Sequence, residues 1–343
     1  MKKLAVLLVS AVFSLSVLSA PTRDEGLQRM AQELGSPEGL RLRVHGINTE
    51  AGLYVGAYSY DHFFNEIQVS LLTRDNAVKE SLANLGRHDL VRVWGRVLDF
   101  DSPQPHLSLS RLVVEQKYAF PGDKYQPDVD WDKVTRELEG RDEALMLVHT
   151  VQMGGELLVV EFKDQIFPIF TREFRTQAAG LHRQDIVRIR YELQESPGRP
   201  VHLQLKSGAD GQAISVVDPV HEQHGKNLAF EGELVMFPQS PIVKFNVFAI
   251  KVALDEGMHR TYTLISFDDP ELFTHIREKL QAAWDAADAS CVRNDRNKLV
   301  NPSVRVRASG FINHVDANQA NPQILPSKIE DVQVLALDLG CEK

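Results

Sequence analysis

Between residues 40 and 337 the apolar positions switch between two periods. LRLRVHGIN (40–48) alternates apolar and polar residues one by one, the period of a half-buried strand. Residues 52–73 predict two further strands around a turn near Asp61. RDNAVKESLANLG (74–86) shifts to helical spacing and stops at a glycine. Strand alternation returns in DLVRVWGRVLDF (89–100) and, after the turn DSPQP, in HLSLSRLVVE (106–115).

The same order is then written again. ALMLVHTVQM (144–153) leads to Gly154-Gly155, a hairpin signal. The strand pair of 156–170 follows, then a helical segment over 171–183. DIVRIRYEL, VHLQLKS and AISVVDP (213–219) complete this copy. A third copy starts at NLAFEGELVMF (227–237), with VKFNVFAIKVAL and RTYTLISF around DEGMH. Its helix is longer (268–289), with acids and Pro270 at its start. PSVRVRASGFIN (302–313) and ILPSKIEDVQVLAL (324–337) are its last strands. Ahead of all three, Leu27, Met30, Ala31 and Leu34 share one helical face in 22–35, a short packing helix or a mobile leader.

Five strands with one helix between the third and fourth resemble the OB-fold, a small Greek-key barrel. The resemblance spans nearly the whole chain after its first residues and rests on element order, with LGRHDLVRV and GLHRQDIVRI as its clearest match. It implies a mainly β protein: three tandem five-stranded OB-like Greek-key barrels, each with a helix between strands 3 and 4. The expected organisation is a signal peptide (1–19), a helical leader (20–39), OB-like domain 1 (40–116) and a linker with a helix near Val134 and Leu138 (117–142). OB-like domain 2 (143–219), a short linker (220–226) and OB-like domain 3 (227–343) follow. Val91, Val93, Val187 and Ile189 are expected to face barrel interiors, with Arg92 and Arg188 outside. Such linkers permit flexing unless the domains share apolar surface.

The first residues carry an export signal: Lys2 and Lys3, the apolar run 4–18, and small residues before a cut best placed after Ser19, ahead of Pro21. The alternative is an uncleaved anchor helix. Export predicts a periplasmic or secreted protein, and no second apolar run is long enough to span a membrane. In an oxidising compartment Cys291 and Cys341 are expected to pair, closing a loop of about 50 residues worth about 3–4 kcal/mol. Two unpaired thiols are the alternative. The net charge of −9 argues against general adhesion to nucleic acid or anionic membrane, though not against a local basic groove.

Tyr54, Tyr58 and Tyr60 alternate with Leu53, Val55 and Ala57, and an outward row of tyrosines is a stacking platform for bases or sugar rings. Packing against a neighbouring barrel or the N-terminal helix would use the same rings. Arg92, Arg96, Arg188 and Arg190, with Arg305 and Arg307, recur in the fourth strands. They either line a polyanion groove or pair with acids on the strand surface. His221 and His224 in HEQH read as a solvated loop rather than a metal motif. No P-loop, nucleophile elbow or dinucleotide fingerprint occurs, so no catalytic residue, metal or cofactor is expected. The reading is a binding protein for an extended ligand: an oligosaccharide, single-stranded nucleic acid or a peptide. An envelope scaffold that docks proteins is the alternative. A hydrolase with a site assembled in space is the third.

Overall fold

The computed structural model describes residues 22–48, 53–60, 66–100, 104–125, 131–196, 199–241, 243–295, 298–314 and 320–337. The expected signal segment, Phe63 and Phe64 beside the first turn, and Cys341 lie outside the described residues. The chain is mainly β, with one closed barrel and two further sheets.

Helix α1 (Arg23–Gly35) begins in a reciprocal cap. The Glu25 amide donates to Thr22 Oγ1, and the Thr22 amide donates to Glu25 Oε2 at 2.8 Å. The barrel follows. Its strands are β1 (Leu40–Asn48), β2 (Leu53–Ser59), β3 (Glu66–Leu72), β4 (Leu90–Asp99) and β5 (His106–Gln116), hydrogen-bonded in the order β1-β2-β3-β5-β4 and closed by β4 on β1. β3 and β5 run parallel and the other neighbours antiparallel. Helix α2 (Asn76–Ala83), capped by Asp75, sits between β3 and β4 as the resemblance implied. Val91 and Val93 are buried in one core with Leu40, Leu42, Val44, Ile67, Val69 and Leu71. Leu27, Met30 and Leu34 of α1 enter the same core, so the leader is a packed part of the first unit. Each such side chain contributes about 1.5–3 kcal/mol through burial. A Cβ at Gly95 would meet Ser108 O at 2.0 Å. That close approach lets β4 bulge between Trp94 and Gly95 while still paired to β5.

The second unit opens with helix α3 (Trp131–Leu138), whose Val134 and Leu138 are buried with Met146, Val187 and Ile189. Its strands are β6 (Glu143–Gln152), β7 (Leu157–Phe162), β8 (Gln165–Phe170), β9 (Ile186–Ser196), β10 (Arg199–Leu205) and β11 (Ile214–Asp218). They form a six-stranded sheet in the order β10-β9-β6-β7-β8, with β11 also on β9. The helical period over 171–183 condenses to a 3-10 turn (Arg172–Phe174) and a five-residue helix, α4 (Arg175–Ala179). β8 and β10 lie close without a hydrogen-bonded ladder, so the pairings do not close as they do in the first unit.

The third sheet has seven strands: β12 (Asn227–Phe237), β13 (Val247–Ala253), β14 (His259–Leu264), β15 (Arg293–Asp295), β16 (Lys298–Asn313), β17 (Gln323–Leu325) and β18 (Val332–Leu337), with helix α5 (Pro270–Ala286) between β14 and β15. One expectation fails in this unit. The run 324–337 is two strands, because Pro326 has no N–H to donate and a 3-10 turn (Ile329–Asp331) follows. CVRNDRNKLVN forms β15 and the start of β16, which pair as a hairpin. β16 slips register against β12 between Arg305 and Asn301, next to Pro302, for the same missing donor.

The units share surface. Leu147 and Ile186 pack with Met258, while Phe120 and Tyr125 of the first linker pack on the third core. Arg260, 1% exposed, donates from Nε to Gln184 O at 3.1 Å and contacts Asp218 Oδ2 at 3.1 Å. Among the described residues, no helix is long and apolar enough to cross a membrane.

Candidate binding crevice

The LxRxD segments of the first two units build one device twice. Asp89 and Asp185 are both buried. Asp89 Oδ2 accepts from Gly86 N at 2.7 Å, and its Oδ1 accepts from Tyr118 N at 2.9 Å. Asp185 Oδ2 accepts from His182 N at 2.7 Å, and its Oδ1 accepts from Val220 N at 2.8 Å. Each carboxylate thus ties the loop before the fourth strand to the chain leaving the unit. The preceding residues, His88 and Gln184, take left-handed φ values of 69° and 74°. After those turns His88 lies beside Arg43 in the first unit, and Arg183 donates from Nη1 to His149 O in the second.

In the first unit this loop meets the outer face of β1. Arg43 lies opposite Ala57, and Ala57 opposite Gln68, so these three share the outside of the β1–β2–β3 surface. Ligands of OB-like barrels commonly meet the strand two and three face. His45 is the extra residue of a bulge between Val44 and Gly46. Arg43 Nη1 lies 3.3 Å from His88 Nδ1, and Gln68 Nε2 lies 3.3 Å from His45 Nε2. Among the described residues the acid paired with this group is Glu66, whose Oε2 accepts from Arg43 Nη2 at 2.6 Å. The buried Nε of Arg87, Nε of Arg43 and Nδ1 of His45 find no hydrogen-bond partner among the described residues.

The electrostatics follow from that imbalance. Burial, then the Arg87 and Arg43 guanidiniums, push both His45 and His88 down to about 3. Burial, then Arg43, pulls Arg87 down to about 10. At neutral pH both imidazoles of this cluster are therefore neutral beside the Arg87 and Arg43 guanidiniums. Stranded donors beside a net positive charge suit an anion.

The tyrosine row faces the opposite way from the expectation. Gly56 lies opposite Val44 and Val69, and a Cβ there would meet Leu42. Tyr54 and Tyr58 share its parity and face the barrel core, while Val55 and Ala57 face out. Tyr58 is 5% exposed and its hydroxyl donates to Glu33 of α1 at 2.7 Å. Tyr54 and Tyr60 pack against the same core. Alternation could not choose the face, because both sides of β2 carry apolar groups and both are covered.

The arginines sit on strand surfaces with acids. Glu115 Oε1 accepts from Arg92 Nε at 2.5 Å and its Oε2 from Arg41 Nε at 2.7 Å. Arg92 lines a shallow depression of about 400 Å³ whose other walls include Glu33 and Glu38, a poor seat for a polyanion. Arg190 contacts Glu143 at 3.3 Å and Asp210 at 2.9 Å, and Arg188 contacts Glu143 at 3.6 Å. Arg96 is exposed on β4, away from this pairing. In the second and third units, Phe162, Phe167, Phe248 and Tyr262 are core, whereas Phe170 and Phe245 are exposed. Cys291 is buried. In the sequence no pattern ties His45 and His88 to one another, and Arg43 and Arg87 carry no signal beyond the LxRxD echo that marks the loop.

A second cluster lies at the seam of the second and third units. Donor atoms of His182, Asp185 and His221 all fall within 4.8 Å of one another. The His182 ring lies 4.9 Å from that of His221 and 5.2 Å from that of His314. The His314 amide donates to His224 Nδ1 at 3.1 Å. HEQH is a solvent-exposed 3-10 turn (Val220–Gln223), as expected, and it brings His221 beside His182.

No protein-family model and no curated protein matches the chain. Among solved structures, a murine DNA binding protein bound with ds DNA aligns at 14% identity and a TM-score of 0.18, covering 52% of this chain and 98% of that one. The Ifi202 HINa domain in complex with 20bp dsDNA aligns at 8% identity and a TM-score of 0.20, covering 53% of this chain and 96% of that one. The drosophila Unr CSD456 aligns at 11% identity and a TM-score of 0.18, covering 87% of this chain and 97% of that one. Likenesses this weak carry no argument about what the chain binds.

Proposed function

We propose that this is an exported, non-catalytic binding protein whose three β units follow one OB-like plan, and that its first unit grips an anionic group of an extended ligand, a single-stranded nucleic acid first among them. The observation that carries the reading is the Arg87 guanidinium, whose buried Nε has no partner and which no acid pairs among the described residues. A cation held in that way loses hydration that no group among the described residues returns. A phosphate diester returns it through charge-assisted hydrogen bonds from Arg87 and Arg43, with the neutral imidazoles as further donors. The net charge of −9 confines such contact to a few phosphates, so the salt dependence is shallow.

One plan for all three units is supported by shared details. A helix precedes the first strand in two of them, a histidine bulges from that strand at His45 and His149, and the fifth strand is broken in the second and third. The third unit has Pro302 where the other two have the pinned aspartate. Export to the periplasm or beyond rests on the N-terminal signal pattern, and N-terminal sequencing of the mature protein should begin at Ala20.

Fluorescence anisotropy with labelled single-stranded oligonucleotides, uncharged and acidic oligosaccharides and acidic peptides tests the ligand. Arg87→Ala should weaken oligonucleotide binding at least about fivefold, the worth of one charge-assisted contact of about 1 kcal/mol or more. Equal binding by Arg87→Ala and the parent chain would overturn the assignment, and binding of only an oligosaccharide or peptide would replace the nucleic acid. A protein partner is the second reading. It is favoured by Leu98 and Phe100, which stand 50% and 47% exposed on the β4–β5 hairpin.

A further inference from the structure

We propose that His182, Asp185 and His221 bind a divalent transition-metal ion, zinc above all, which locks the chain leaving the second unit onto the loop before β9.

The two copies of the aspartate device differ in how they balance its charge. In the first unit the pinned carboxylate of Asp89 has a cationic partner, Lys117 Nζ, at 2.8 Å. Aligning the exit residues Tyr118 and Val220, which donate equivalent amide hydrogen bonds, puts Pro219 where Lys117 stands. The second carboxylate therefore lacks that ammonium. That alignment puts His221 where the first unit has Ala119, and aligning Asp89 with Asp185 puts His182 where it has Gly86. The unit that loses the lysine gains two imidazoles, and both turn toward the carboxylate. His182 Nδ1 is 3.5 Å from Asp185 Oδ2. A buried carboxylate needs a compensating charge, and a cation held by two imidazoles supplies it.

The geometry is close to what an ion requires. In a tetrahedral zinc site, two ligand atoms bonded at about 2.0–2.1 Å stand about 3.4 Å apart. The three donors lie within 4.8 Å, so a movement of up to about 1 Å at each suffices. His221 is exposed in a 3-10 turn (Val220–Gln223) and can supply most of it. The amides of His182 and Val220 already orient the carboxylate, the kind of outer contact that holds a ligand in place for a metal. Two imidazoles and one carboxylate select zinc, nickel or copper over magnesium and calcium, which prefer all-oxygen sets. The fourth position falls to water or to His314 of the third unit, whose ring stands 5.2 Å from that of His182.

The test is equilibrium dialysis of the full chain against zinc chloride with elemental analysis, and cobalt substitution read by its visible absorption. The parent chain should take up one ion per chain, with cobalt giving an intense tetrahedral or five-coordinate spectrum. His221→Ala removes an exposed ligand without touching the core. His182→Gly installs the residue that the first unit uses there. Each should weaken zinc binding by about tenfold or more, while His202→Ala on β10 leaves it unchanged. Uptake that fails to saturate, or that survives in the His182→Gly/His221→Ala double variant, would sink the proposal. So would zinc binding that magnesium or calcium displaces at equal concentration.

Discussion

Removal of the Asp89 carboxylate isolates the interaction on which the repeated loop depends. Asp89 is fully buried and accepts from Gly86 N at 2.7 Å, Tyr118 N at 2.9 Å and Lys117 Nζ at 2.8 Å. In Asp89→Ala the ammonium of Lys117, 58% exposed, returns to water, so its share of the loss is small. The two amides fare worse. Each loses a charge-assisted acceptor worth about 1.5–3 kcal/mol, and both are held in place by the surrounding backbone. Partial access of water at Gly86 trims the sum, leaving a loss of about 3–4 kcal/mol. That is a large part of a domain's stability of about 5–15 kcal/mol. Urea unfolding followed by circular dichroism should show the midpoint of the first unit falling by about 1–2 M. Amide exchange should accelerate at Gly86 and Tyr118 before it does in β1. Asp89→Asn keeps one carbonyl acceptor, so its loss should fall between those of the parent and the alanine variant. A loss below about 1 kcal/mol for Asp89→Ala would show that the chain leaving the barrel is held by something other than this carboxylate.

Three further outcomes are expected. Tyr58→Phe removes only the hydroxyl that donates to Glu33 and should cost about 1 kcal/mol, whereas Tyr58→Ala empties a core position and should cost about 3–5 kcal/mol. Equal, small losses in thermal melts would return the ring to an open face. The folded values of His45 and His88, about 3, lie below the ordinary 6.5. The unfolded chain therefore binds more protons between those limits, and stability is full above pH 6.5 and falls as the pH drops toward 3. Each histidine contributes a slope of about 1.4 kcal/mol per pH unit inside that window. Urea titrations at several pH values should show the slope flatten in His45→Asn/His88→Asn, and an unchanged slope would refute the assignment. Arg260→Ala strands Gln184 O between the second and third units, while the Asp218 carboxylate, 45% exposed, returns to water, so the loss should be about 1–3 kcal/mol. It should also split a shared unfolding transition in calorimetry. A single unshifted transition would mean that the units do not depend on this contact.

Residues near in sequence settled a good deal. Strand and helix periods depend on the chain's own spacing, so the element order, the inward valines and the apolar faces of α1 and α3 were legible before any fold was known. The echo of LGRHDLVRV in GLHRQDIVRI also identified two equivalent loops. Tertiary structure decided the rest. Both faces of β2 are apolar enough to bury, so only the fit of Gly56 against Leu42 and the arrival of α1 turned the tyrosines inward. The helical period of 171–183 shrank to α4, which starts after a left-handed residue at Arg172 (φ 50°) and a 3-10 turn and ends at Gly180. The crevice joins Arg43 to residues 44 and 45 positions away, and the histidine cluster joins a loop, a linker and the end of β16. No local pattern encodes such encounters. Charge compensation across a folded surface depends on distance in space, and spacing along the chain does not report it.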